Sequence, residues 1–203
     1  EERRRLILDA LSSVSGMSAS VDSASTRVYN AGFNFSDIDN SASAAVMDLG
    51  AGDYTLTFDP SGRLAPTFRF ALRDLATARP INANLTVTGT NAPSNASALY
   101  SLPVTAGESL FVEGLGSTGY DATPYIDLFW PLGGGLDLVP ITSYSSRIDV
   151  PWTGTATFHV SGGVNNATPE GIHQFRVWRV VDESHPLTFG AAISGQLSQP
   201  SQV

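Results

Sequence analysis

The chain has 203 residues, 42% hydrophobic and 15% charged, with 19 Gly, 12 Pro and no Cys. That apolar share excludes a disordered tail, and so low a charge content excludes a coiled coil or a long solvated helix. A formal net charge of −8, with all 11 basic residues Arg, argues against a nucleic-acid partner, because phosphate binding needs clustered cations.

The start, Glu1-Glu2-Arg3-Arg4-Arg5, lacks the small-residue cleavage site of a signal peptide, so an export signal would lie outside this sequence. Leu6 to Leu11 could form one helical turn, but the Ser/Gly/Ala-rich sequence after it does not continue a 3.6-residue period. From there the pattern is β. Tyr54-Thr55-Leu56-Thr57-Phe58, Phe68-Arg69-Phe70-Ala71-Leu72, Leu110-Phe111-Val112 and Ala156-Thr157-Phe158-His159-Val160 alternate apolar and polar residues. Period two sends one set of side chains into a core and the other toward water. Phe68, Phe70 and Leu72 are thus expected to face inward, with Arg69 and Ala71 outside. Asp59-Pro60-Ser61-Gly62 and Gly133-Gly134-Gly135 supply turns between the runs. Many short strands with turns predict an all-β chain of sandwich type. No apolar stretch reaches the length of a membrane span. The absence of Cys removes a disulfide framework, a thiolate nucleophile and a cysteine metal site.

The sequence also repeats itself. Leu6, Leu8, Asp9 and Leu11 match Leu110, Val112, Glu113 and Leu115, an offset of 104. Gly52-Asp53-Tyr54-Thr55-Leu56 matches Gly154-Thr155-Ala156-Thr157-Phe158 at 102, and Phe68-Arg69 matches Phe175-Arg176 at 107. Pro80-Ile81 and Gly89 match Pro186-Leu187 and Gly195 at 106. These offsets predict a first β-sandwich unit over 1–79 that lacks its opening strands and a complete second unit over 80–185. Residues 186–203 are then the opening strands of a further unit, or a donor strand. A unit without its opening strands exposes unpaired backbone along a sheet edge. Strand donation by a neighbour is one way to fill it.

Gly52-Asp53-Tyr54-Thr55-Leu56-Thr57-Phe58, followed by Phe68-Arg69-Phe70-Ala71-Leu72, resembles the closing strands of bacterial pre-peptidase C-terminal domains. Ala98-Leu99-Tyr100-Ser101-Leu102 with Ala106-Gly107-Glu108-Ser109-Leu110 is similar to their opening strands. The resemblance implies tandem jelly-roll-like sandwiches of about 100 residues, outside the cell or on its surface, usually without catalysis and sometimes with calcium or a polymeric ligand. Ala156 departs from it, standing where the first copy has the aromatic Tyr54.

Other motifs have plainer readings. Gly114-Leu115-Gly116-Ser117-Thr118-Gly119 fits the spacing of a dinucleotide loop, but the turn-like Tyr120-Asp121-Ala122-Thr123-Pro124 replaces the required helix, so an inter-strand loop is expected. His159, His173 and His185 recur in neither copy and lack metal-ligand spacing; surface or strand-end positions are expected. A Ser-His-Asp triad would come together only in the fold, and there is no G-x-S-x-G elbow. Asp37 and Asp39 are candidate calcium ligands, with Asp121, Asp127 and Asp137 a looser set; Asx turns explain them equally well. Phe129-Trp130-Pro131 and Val177-Trp178-Arg179 could stack sugars, although one of two neighbouring strand residues must face a core. Asn34, Asn84, Asn95 and Asn166 lie in N-x-S/T sequons. The core is expected to include Leu8, Tyr54, Phe58, Phe68, Phe70, Phe158 and Phe175.

The resulting expectation is a non-catalytic extracellular structural segment of a bacterial surface array, fibre or adhesin, assembling head to tail. Its partners would be neighbouring copies of the same repeat, and possibly extracellular polysaccharide. The alternative is a carbohydrate- or protein-binding accessory module of a secreted hydrolase. No cofactor is expected beyond possible calcium.

Overall fold

The computed structural model describes residues 3–12, 16–32, 46–60, 67–162, 167–182, 189–190, 194 and 196–202. The chain is all-β. Strands β1 (Arg4–Ala10), β2 (Met17–Ser23), β3 (Arg27–Gly32), β4 (Val46–Leu49), β5 (Tyr54–Pro60) and β6 (Phe70–Asp74) come first. A 3-10 turn, Leu75–Thr77, follows, capped by the Asp74 carboxylate, which accepts from the Ala76 N–H at 2.9 Å. Then come β7 (Arg79–Pro80), β8 (Thr86–Asn91), β9 (Ala98–Val104), β10 (Ser109–Thr118), β11 (Tyr125–Phe129), β12 (Gly135–Pro140), β13 (Ile148–Asp149), β14 (Gly154–Ser161) and β15 (Gly171–Val180). The Leu6–Leu11 run is thus strand, not helix, through Ala10.

Four sheets result, ordered β4-β1-β6, β3-β2-β5, β13-β10-β15-β8 and β12-β11-β14-β9-β7. Every strand pair is antiparallel except β7 with β9. The two three-stranded sheets enclose one apolar cluster, with Leu8, Met17, Ala19, Val21, Tyr29 and Met47 buried in it. The larger two enclose another, built on Leu110, Ile126, Leu128, Phe158, Phe175 and Val177, all fully buried. Alternation explains both, since inward residues are spaced by two along β1, β2, β11 and β14.

Connectivity in the two halves coincides. β1 to β6 occupy the same sheet positions as β10 to β15: β4-β1-β6 parallels β13-β10-β15, and β3-β2-β5 parallels β12-β11-β14. Pairing sharpens the register, because Leu8 lies opposite Leu72 and Val112 opposite Val177. Leu72 therefore corresponds to Val177 and Phe70 to Phe175, two residues from the register that the Phe-Arg match suggests. A slip of two keeps each side chain on its face, which is why alternation alone does not reveal it.

Of the expected core residues, Leu8, Phe158 and Phe175 are buried. Tyr54, Phe58 and Phe68 are only partly so, and Phe70 is 36% exposed, against the expectation that it faces a closed core. The Gly114–Gly119 segment is not a loop through most of its length. Gly114 to Thr118 belong to β10, which carries a register shift between Gly114 and Gly116. Gly114 and Gly116 donate to the Ser143 and Ile141 carbonyls at 2.6 and 3.0 Å. A Cβ on Gly114 would come within 2.3 Å of the Ile141 oxygen, so this bulge needs glycine there.

Candidate functional site

Over part of their length the outward faces of β1 and of β9, β11 and β14 meet each other instead of water. On β1 the residues that alternate with the core set, Ile7 and Asp9, have no solvent exposure. Ile7 packs with Leu75 and Phe129, and Val46 and Leu99 lie against them. Both faces of β1 are therefore buried, one in its own core and one in this seam.

Polar groups line the same seam. The Asp9 carboxylate accepts from Arg73 Nε at 2.7 Å, from the Ser97 N–H at 3.2 Å and from Ser97 Oγ at 3.1 Å. His159 Nε2 lies 2.8 Å from Ser97 Oγ, and its Nδ1 3.2 Å from Asp127 Oδ2. Asn95 Nδ2 donates to the Leu11 carbonyl at 2.8 Å, and Arg5 Nη1 to the carbonyls of Trp130 and Pro131 at 2.7 and 3.2 Å. Buried polar groups need such partners, because an unmade hydrogen bond here costs about 1–3 kcal/mol.

Ser97, His159 and Asp127 have the outline of a nucleophile, a base and its orienting carboxylate. The serine hydroxyl has a second acceptor beside the imidazole, since Ser97 Oγ lies 3.1 Å from Asp9 Oδ1 as well as 2.8 Å from His159 Nε2. All three side chains are buried between sheets. The constellation ties two sheets together.

A second buried histidine lies inside the larger sandwich. His173 Nε2 and Nδ1 are each 2.7 Å from a phenol, those of Tyr100 and Tyr120. Burial, with the positive Arg79 adding to it, pushes the imidazole down to about 4, so it is neutral near pH 7. A neutral ring has one N–H and one lone pair, so one tyrosine accepts from it and the other donates to it. Burial pushes the Tyr100 phenol up to about 12 and Tyr120 higher still. Gly89 makes room for this group, since a Cβ there would sit 1.7 Å from the Tyr100 oxygen.

The two described histidines thus overturn the surface expectation, and polar residues on strands are a poor guide when both sheet faces are covered. His185, Asp37 and Asp39 lie outside the described residues. Among the described residues no cluster of three or more His, Asp or Glu is arranged to hold a metal ion. Asp127, from the looser acidic set, is spent on His159. Trp130 is buried in the larger core, and Trp178 donates to Glu113 at 3.0 Å beneath the Arg176 guanidinium, 4.7 Å from the ring centre.

Among the described residues, two solvent-open features lie near the seam and the smaller sandwich's edge. One is a cleft of about 720 Å³ beside the seam, lined by Arg3, Arg4, Arg5, Thr155 and Thr157 among others. Arg3 is paired with Asp48, while Arg4 is 3.8 Å from Asp74. Desolvation pulls the Arg5 guanidinium down, and its Nε and Nη2 are buried without a hydrogen-bond partner. The other feature is the edge of the smaller sandwich beyond which no described strand lies, where Phe70 and Leu72 are 36% and 48% exposed. Phe58, Phe68 and Phe70 pack there with tilted rings, centroids 4.4 Å (Phe58–Phe68) and 4.9 Å (Phe58–Phe70) apart.

No helix among the described residues is long and apolar enough to cross a membrane. No family model and no curated protein matches the chain. Among solved structures, the periplasmic inhibitor of g-type lysozyme PliG from Aeromonas hydrophila is similar at 14% identity and a TM-score of 0.34, over 50% of this chain and 96% of that one. PliG from Salmonella Typhimurium is similar at 14% identity and 0.36, over 49% and 97%. The CUB1-EGF-CUB2 domain of human MASP-1/3 is similar at 11% identity and 0.28, over 86% and 88%.

Proposed function

We propose that the chain is a non-catalytic extracellular structural segment of a bacterial surface array, fibre or adhesin, in which units follow one another head to tail. The observation that supports this most is the seam. Its polar and charged side chains, the groups from which a catalytic site would be made, are consumed in fixing one pair of sheets against the other. Ion pairs and hydrogen bonds of this kind favour one geometry over alternatives, which suits a spacer. The resemblance to pre-peptidase C-terminal domains points the same way.

The Arg-lined cleft favours the second reading, a binding module, because clustered guanidinium groups on an otherwise acidic chain would select an acidic polysaccharide. A panel of neutral and acidic polysaccharides, titrated against the purified chain, separates the two. The structural reading expects no saturable binding. Saturable, salt-sensitive binding that is lost on Arg3→Ala and Arg4→Ala would overturn it in favour of the module.

A further inference from the structure

The two sandwiches share a connectivity but not a strand count. In the larger one, β8 continues the sheet beyond β15 and β9 continues the sheet beyond β14. In the smaller one, β6 and β5 hold the positions of β15 and β14, and among the described residues no strand lies beyond either. The consequence is visible side chain by side chain. Phe175 and Val177 are fully buried, whereas Phe70 and Leu72, at the corresponding register, are 36% and 48% exposed. Phe158 and Val160 are fully buried, whereas Leu56 and Phe58 are only half-buried.

We infer that the edges of β5 and β6, beyond which no described strand lies, are an acceptor for a pair of strands with the residue pattern of β8 and β9, supplied by a neighbouring unit of the same kind. The larger sandwich shows what such strands do. β8 runs antiparallel to β15 with Val87 opposite Phe175, and β9 runs antiparallel to β14 with Tyr100 opposite Phe158. The Tyr100 ring then meets Phe175 edge-on, with centroids 5.2 Å apart. Transferred to the smaller sandwich, the valine lies opposite Phe70 and the tyrosine opposite Leu56. Main-chain hydrogen bonds supply affinity and the alternate side chains supply specificity. This inference rests on the head-to-tail reading and names the surface on which a neighbour would act.

The test is to fuse a second copy of residues 80–104 ahead of Glu1, so that Val104 precedes Glu1 as it precedes Thr105 in the chain. Tm is expected to rise by more than about 5 °C, with slowed amide exchange along β5 and β6. The same fusion carrying Val87→Asp and Tyr100→Asp in the added copy is expected to give neither effect. Should the fusion not fold, a synthetic peptide of residues 80–104 added to the unmodified chain is expected to slow the same amides. Unchanged exchange at β5 and β6 with both fusion and peptide would overturn the inference. It would leave the structural reading to the polysaccharide panel, which these additions do not touch.

Discussion

The two sandwiches solve one packing problem with different numbers of strands. Sheets of five and four strands close over Phe158, Phe175 and Val177, leaving them without solvent contact. Sheets with three described strands each, in the same order, leave the corresponding apolar residues more exposed. The difference teaches that burial in a β-sandwich is set by the strands that flank a residue as much as by the residue's own alternation. An inward-pointing side chain on an edge strand faces a core on one side only.

The largest expected effect tests this contrast at Phe175 and Phe70. Phe175→Ala removes a fully enclosed ring and is expected to cost about 3–5 kcal/mol. Phe70→Ala, at a rim already in contact with water, is expected to cost about 1 kcal/mol. Urea unfolding of both variants measures the pair, and equal costs would mean that the Phe70 edge is covered in solution.

Acid sharpens the same contrast, because the buried imidazole belongs to the larger sandwich. Burial, followed by the charge of Arg79, holds His173 near 4, below its ordinary value of 6.5. The unfolded chain therefore binds the proton more readily than the folded one. Stability from this residue is fully present above pH 6.5 and is lost as the pH falls toward 4, by about 2–3 kcal/mol. Tyr100 and Tyr120, the other titratable groups facing it, stay neutral throughout this range. Melting curves from pH 4 to 8 should show that His173→Gln flattens the acid limb; an identical limb would assign it to other groups.

The strands were largely legible in the sequence, and the seam was not. Alternation placed Tyr54–Phe58 and Ala156–Val160 on strands because it reports a local property, the pleat. The same reading put His159 at the surface or a strand end and Asp127 in a loose set of calcium candidates. Both, with Asp9, lie in the buried seam, on contacts between residues 32 to 88 positions apart, as in Asp127–His159 and Asp9–Ser97. No local pattern distinguishes a polar side chain on a solvated face from one in a buried network. The glycines of β10 mislead in the same manner, since Gly114 allows close approach to the Ile141 and Ser143 carbonyls and Gly116 supplies a positive φ within the bulged strand. The internal match was the signal with the longest reach, because it compares positions about 104 residues apart where alternation compares neighbours.

The seam joins the unequal sandwiches, so breaking it should let them act separately. Asp9→Ala strips Arg73 Nε and both Ser97 donors of their acceptor, at an expected cost of about 2 kcal/mol. The wild-type chain is expected to unfold in one calorimetric transition and the variant in two, with the smaller sandwich melting first. A single transition at unchanged temperature would show that the apolar contacts of Ile7, Leu75 and Phe129 suffice.

The smallest effect is the most discriminating, because it asks one question at corresponding positions. Threonine keeps the β-branched shape that strands accept but adds a hydroxyl, which is harmless in water and costly in a core without a partner. Val177→Thr places that hydroxyl where the side chain has no solvent contact, at an expected cost of about 1–3 kcal/mol. Leu72→Thr places it at a side chain that is 48% exposed, and stability should stay within about 0.5 kcal/mol of wild type. Repeated in the chain carrying the fused strands of residues 80–104, Leu72→Thr should rise toward the Val177→Thr cost, since the added strands would enclose it. A cost that stays small there would show that exposure at this edge belongs to the smaller sandwich itself and not to the absence of its flanking strands.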